Sequence, residues 1–165
     1  MLKRGDKMSR ETTCCFTGHR ILGKDYDRGK LNDIVLKLHT EKGVDTFICG
    51  GALGFDIQAA LVVLNLKRSG YNVALHIYAP CNNQSAKWSE ADKNVYIELL
   101  KVADYVDMVD RPYFDGCMKD RNYKMVDNSR YCIAYYHEDT KRASGTGQTF
   151  RYAKKCGLEV VNLGT

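Results

Sequence analysis

Six short apolar runs recur along the chain, and stretches of helical period separate them. They are "TTCCFTG" (12–18), "VDTFICG" (44–50), "YNVALHIYAP" (71–80), "DYVDMVD" (104–110), "RYCIAYY" (130–136) and "LEVVNL" (158–163). Between the first two, residues 27–43 place Leu31, Ile34, Val35 and Leu38 on one helical face, with Gly43 as the stop. Residues 55–70 do the same with Ile57, Ala60, Leu61 and Leu64, and Gly70 ends them. Further helices are expected through "KNVYIELLKVA" (93–103), within 114–129 with Met125 turned to the core, and through "QTFRYAKKCG" (148–157). Strands that alternate with helices predict an α/β fold of three layers, α/β/α, around a mostly parallel sheet. The runs are continuous more than alternating, as burial on both faces requires.

A chain of 165 residues, 44% hydrophobic and 27% charged, suits one domain. Residues 13–165 are expected to form it, after a disordered basic lead-in over 1–12. That lead-in, "MLKRGDKMSRETT", lacks the apolar stretch of a secretory signal. No apolar run approaches the roughly 20 residues that span a bilayer, so no membrane partner is expected. The seven cysteines are odd in number, form no CxxC pair and include Cys14, Cys49 and Cys132 within strands. This pattern predicts reduced thiols, a cytoplasmic setting and no metal site. The net charge of +5 favours an anionic partner without choosing among nucleotides, nucleic acid and others.

In parallel α/β sheets, ligands bind beyond the carboxyl ends of the strands. Three such ends carry unusual residues. "TGHR" (17–20) follows the first strand, "GGALG" (50–54) the second, and "SGTGQT" (144–149) the fifth. Gly50, Gly51 and Gly54, around Ala52, permit positive φ and close approach to the main chain, and the helix that follows offers its positive end to a phosphate. A tight structural turn would also account for them. Ser144, Gly145, Thr146 and Thr149 repeat the logic with hydroxyl donors, or merely supply a helix cap at Thr146 or Thr149. After Gly18, Arg20 can grip a phosphate in two-pronged fashion and His19 can donate to a ligand, or His19 is a strand-end histidine satisfied by backbone groups. Asp56 either serves the helix dipole or binds a ribose hydroxyl or a base edge. Trp88 either stacks on a base or packs under its loop. Arg121, Lys124 and Asn128 share a helix that reads as a solvated face.

The order and spacing of "CCFTGHR", "GGALGFDIQAA", "P…Q…W…Y", "RNYKMVDNS" and "SGTGQT…YAKK" resemble the YpsA-like (DUF1273) family of the SLOG superfamily from about Thr13 to Asn162. The resemblance implies a Rossmann-like nucleotide-binding domain. It places Gly50, Gly51, Gly54 and Asp56 on one wall of a cleft, and Gly145, Thr146 and Thr149 on the other. Arg20, Gln84, Trp88, Arg121 and Asn122 match further motif positions. The related LOG-type enzymes, which cleave nucleoside monophosphates, carry PGGxGTxxE. Here the glutamate position falls on Thr149 and "RAS" replaces the proline–glycine start. A hydroxyl cannot act as a carboxylate base near neutral pH, so LOG-type cleavage is not expected. DNA-processing relatives carry a hydroxyl at this position.

The leading expectation is a protein that binds a nucleotide or nucleotide-derived small molecule, ADP-ribose-like ligands included, for sensing, sequestering or regulation. It is expected to self-associate and to need no further cofactor. Bacterial and phage settings fit it equally. A second expectation is a nucleotide-cleaving enzyme with Asp56, His19 or Asp127 as acid or base. A third is single-stranded DNA binding through Arg20, Lys87, Arg121 and Lys124.

Overall fold

The structure, a computed structural model, describes residues 8–138 and 144–164. Its strands are β1 (Thr13–Gly18), β2 (Thr46–Cys49), β3 (Ala74–Ala79), β4 (Tyr105–Met108), β5 (Tyr131–Tyr135) and β6 (Glu159–Asn162). Its helices are α1 (Arg28–Lys42), α2 (Phe55–Arg68), α3 (Glu90–Val102), α4 (Cys117–Asp127) and α5 (Gly145–Lys155). The six strands form one sheet in the order β4-β3-β2-β1-β5-β6 with every pairing parallel. This is a Rossmann-like α/β arrangement.

The register follows from burial. β1, β2 and β3 are buried along almost their whole length, so neither face of these strands needs a polar residue. β4 is an edge strand, and Tyr105 and Met108 on it are exposed. Leu31, Val35 and Leu38 of α1, the apolar side of α2 and Leu99 of α3 share one core with Phe16, Phe47 and Leu75. Met125 and Val126 of α4 and Ala153 of α5 pack in a second core with Cys15, Ile48 and Cys132. The strand order accounts for this division: the chain steps from β1 outward to β4, then returns through α4 to β5 and steps the other way, and crossovers of the usual right hand put the helices of the two directions on opposite faces. The sheet therefore reverses its winding between β1 and β5, which opens a crevice at their carboxyl ends.

Local chemistry sets the helix ends. Asp27 caps α1 by accepting from the N–H groups of Gly29 (2.8 Å) and Lys30 (3.2 Å), and Gly43 closes it at φ 70°. Ser89 caps α3. Helix α5 begins three residues before the expected Gln148, because Ser144 is the cap and accepts from Gly147 N–H at 3.0 Å. Neither Thr146 nor Thr149 has that role. β3 begins at Ala74 where the apolar run suggested 71.

Of the expected lead-in, residues 1–7 lie outside the described residues. Arg10–Thr12 form a short 3-10 turn, and Arg10 Nε donates to the Ser129 carbonyl at 3.1 Å. Residues 139–143 of the loop before α5 are also outside the described set. All seven cysteines are free, and all but Cys156 are buried. Among the described residues no helix is long and apolar enough to cross a membrane, and no group of His, Cys, Asp and Glu is arranged for a metal ion.

Candidate functional site

A cavity of about 350 Å³ opens at the crevice between β1 and β5. Thr17, Gly18, His19 and Arg20 line it from the end of β1, and Ala52 and Asp56 from the turn into α2. Met118, Arg121 and Asn122 contribute from α4, and Ser144, Gly145 and Thr146 from the start of α5. Four segments distant in sequence thus converge, and the two glycine-bearing bends share one space. The size falls within the range of small-molecule sites.

Two opposite charges lie beneath this cavity. Asp56 is 6% exposed and Arg121 7%. Arg121 Nη1 donates to the carbonyls of Gly50 (2.6 Å) and Tyr78 (3.1 Å) and to Gln84 Oε1 (3.4 Å), while Nε donates to Asn122 Oδ1 (2.8 Å). The residue read as part of a solvated face is therefore buried. Lys124 on the same helix does stay at the surface, paired with Asp107. Gln84 Nε2 donates to the Gly50 carbonyl (3.2 Å) and to Tyr96 Oη (3.1 Å). Gln84 and Arg121 together hold the glycine turn from below. Gln84 does not line the cavity.

Asp56 Oδ2 accepts from Gly50 N–H at 3.2 Å. Burial lifts its carboxyl above the ordinary aspartate value; the Arg121 guanidinium, the amides of Ala52 and Gly50, and Arg20 pull the other way. Burial likewise lowers the Arg121 guanidinium, opposed by Asp56. Two amides of the glycine turn are consequently engaged by the chain's own carboxylate. This wall of the cavity presents an acceptor, suited to hydroxyl or amino donors.

Most of the glycines have internal reasons. A Cβ on Gly50 would lie 2.5 Å from Arg121 Cζ, and one on Gly51, at φ 69°, 2.8 Å from Tyr96 Cε2. A Cβ on Gly54, at φ 83°, would lie 2.6 Å from the Cα of Arg20. Main chain meets main chain there, and Phe55 N–H donates to the His19 carbonyl beside it (3.2 Å). Gly145 differs. Among the described glycines it alone has an ordinary φ together with open space where a Cβ would stand. It lines the cavity at the start of α5, where the N–H groups of the first turn have no intrahelical acceptor.

His19 Nε2 accepts from the His137 backbone N–H at 3.0 Å, which puts the proton of the neutral ring on Nδ1. Burial, then the neighbouring His137, lowers its pKa below that of an ordinary histidine. Behind it, Asp25 receives a hydrogen bond from Tyr135 Oη (2.6 Å) and lies 2.8 Å from His137 Nε2. Sequence reading missed this Asp25–Tyr135–His137 support. Tyr135 and His137 sit at the end of β5, but Asp25 lies 110 and 112 residues away from them, and only the strand-end position of His137 hinted at it.

Trp88 packs edge-on against Tyr96, with ring centroids 5.3 Å apart, and does not line the cavity. Thr149 is 1% exposed, donates back to the Gly145 carbonyl (2.8 Å) and does not line the cavity. Asp127 is exposed and accepts from Tyr152 Oη (2.6 Å).

Comparison with known proteins agrees with this architecture. The YpsA family model, of the YspA SLOG family, matches residues 29–160. A UPF0398 protein of Halalkalibacterium halodurans is 30% identical over 123 residues, 73% of this chain and 65% of the relative's length. The chain thus spans just under two thirds of that relative. The SPbeta prophage-derived protein YoqJ of Bacillus subtilis is 32% identical over 143 residues, 79% of this chain and 82% of YoqJ. Among solved structures, DNA processing protein A of Helicobacter pylori, described for its single-stranded DNA binding mode, superposes with TM-score 0.65 at 18% identity. That match covers 93% of this chain and 65% of the other. DNA processing protein A of Streptococcus pneumoniae gives TM-score 0.63 at 16% identity, covering 91% and 49%. These two likenesses concern the fold. With the family model matched across most of its length and its strand-end bends meeting at one crevice, the chain belongs to the YpsA SLOG family.

Proposed function

We propose that the protein binds a nucleotide or nucleotide-derived small molecule in the crevice between β1 and β5, and acts by sensing or sequestering it. The observation that carries this reading is Gly145. Among the described residues no neighbour, and no backbone angle, asks for a glycine there, so the reason is sought in a group outside the chain that must come close. The first turn of α5 has a positive dipole end; Ser144 takes its Gly147 amide, those of Gly145 and Thr146 have no acceptor among the described residues, and Arg20 adds a cation on the same cavity. A phosphate belongs on this side. The Asp56 carboxylate opposite repels phosphate and suits ribose hydroxyls or the amino group of a base. The ligand is thus oriented, its anion toward α5 and its donors toward α2.

The site favours binding over cleavage. Thr149 and Asp127 do not line the cavity, Asp56 Oδ2 is engaged by the Gly50 amide, and His19 Nε2 is engaged by the His137 amide. We place the protein in the cytoplasm, as its free cysteines suggest, and expect it to act as a homo-oligomer. Isothermal titration calorimetry against AMP, ADP-ribose, NAD⁺ and cyclic nucleotides tests the reading. A saturable heat that Arg20→Ala reduces at least tenfold supports it. No heat with any of them at millimolar concentration overturns it. Single-stranded DNA is the comparison arm, and a steep salt dependence there would transfer the site to nucleic acid.

A further inference from the structure

A second cavity of about 370 Å³ adjoins the first and shares Met118 with it. It is walled by the loop after β3, through Asn83, Gln84 and Lys87, and by the loop before α4, through Tyr113. The two loops are tied by main-chain groups. Asn82 N–H donates to the Arg111 carbonyl (2.9 Å), and Tyr113 N–H donates to Asn83 Oδ1 (2.8 Å). Arg111 further stacks its guanidinium on Phe114, 4.0 Å from the ring centroid. These contacts hold the loops in place without the Tyr113 ring, which is 59% exposed. An exposed aromatic face on the wall of a largely apolar cavity that also carries Lys87 is a surface on which a base can stack. The wall between the cavities is a methionine, whose unbranched side chain adapts readily. Its Sδ is 3.6 Å from Arg121 Nη2.

We infer that the two cavities form one bipartite site, and that the ligand carries two bases joined through phosphate, the second base stacking on Tyr113. This rests on the reading of the first cavity as a nucleotide site. A pyrophosphate-joined coenzyme and a phosphodiester-joined dinucleotide both supply that linkage, and their shared chemistry is the two-base, phosphate-centred frame.

The test measures dissociation constants by calorimetry for AMP, NAD⁺ and the dinucleotide pApA, on the wild-type protein, Tyr113→Ala and Tyr113→Phe. The expected result is that NAD⁺ or pApA binds wild type at least tenfold more tightly than AMP. Tyr113→Ala should remove that advantage while leaving AMP within twofold, and Tyr113→Phe should retain it. Whichever of the two probes shows the advantage identifies the linkage. If AMP binds but neither longer probe binds more tightly, or if Tyr113→Ala weakens AMP as much as the longer probes, the bipartite site is refuted and the first cavity stands. If no probe binds, the bipartite site is refuted, and the reading of the first cavity is decided by ADP-ribose and the cyclic nucleotides.

Discussion

Gly54→Ala should destabilise the protein through main-chain strain. Gly54 sits at φ 83°, ψ −121°, a conformation open to glycine and little else. Forcing an alanine into such a region costs on the order of 1–3 kcal/mol. The new Cβ would also lie 2.6 Å from Arg20 Cα, and backbone cannot swing aside as a side chain can. Relief requires the 19–20 segment to move, which breaks the Phe55 N–H to His19 carbonyl bond at a net cost of about 1 kcal/mol. The expected loss is roughly 2–4 kcal/mol, or a fall in Tm of about 4–16 °C for a domain of this size. Urea and thermal unfolding followed by circular dichroism measure it. Because Arg20 moves with the segment, nucleotide affinity should fall as well. A Tm within about 2 °C of wild type would show that the turn is loosely packed and that the internal explanation of this glycine is wrong.

Other consequences follow from the same contacts. Arg121→Met removes the donor shared by the Gly50 and Tyr78 carbonyls and strands Asp56, so chemical denaturation should show a loss of about 3–5 kcal/mol. Adding Asp56→Asn should recover part of that loss, since the two charges are coupled. Burial lowers the pKa of both His19 and His76, the latter with Asp104 and Asp45 opposing. The unfolded chain then binds more protons just below pH ~6.5, so stability should be full above that pH and decline as pH drops through it toward the lower folded values. Urea midpoints at a series of pH values check this, and His76→Gln should flatten the slope. Trp88→Ala should lower Tm by removing the packing on Tyr96, yet leave AMP affinity within twofold.

The alternation of strands and helices was legible because β1, β2, β3 and β5 are buried on both faces and so read as unbroken apolar runs. The meeting of the two bends was legible through the family resemblance, which put them on the two walls of one cleft; the pairing of β1 with β5 that joins them is not written in local sequence. The start of α5 was not legible. Gly145 and Gly147 read as loop, while a single hydroxyl on Ser144 is enough to begin the helix before them. The burial of Arg121 was hidden for another reason. Its acceptors, Gly50 and Tyr78, lie 71 and 43 residues away, and helical periodicity carries no information about such partners. The same holds for Gly50, Gly51 and Gly54: sequence marked them as places of close approach, but not that Arg121, Tyr96 and Arg20 are what approaches.

Gly145→Ala, measured for stability and for ligand binding in the same preparation, addresses the nucleotide site most directly. The substitution meets no neighbour among the described residues and replaces glycine in a helix, so Tm should hold or rise, by the equivalent of up to ~1 kcal/mol. AMP affinity should nevertheless fall at least tenfold, because the added methyl would occupy the space where we propose that phosphate binds. Unchanged affinity with a folded protein would mean that nothing docks against the first turn of α5.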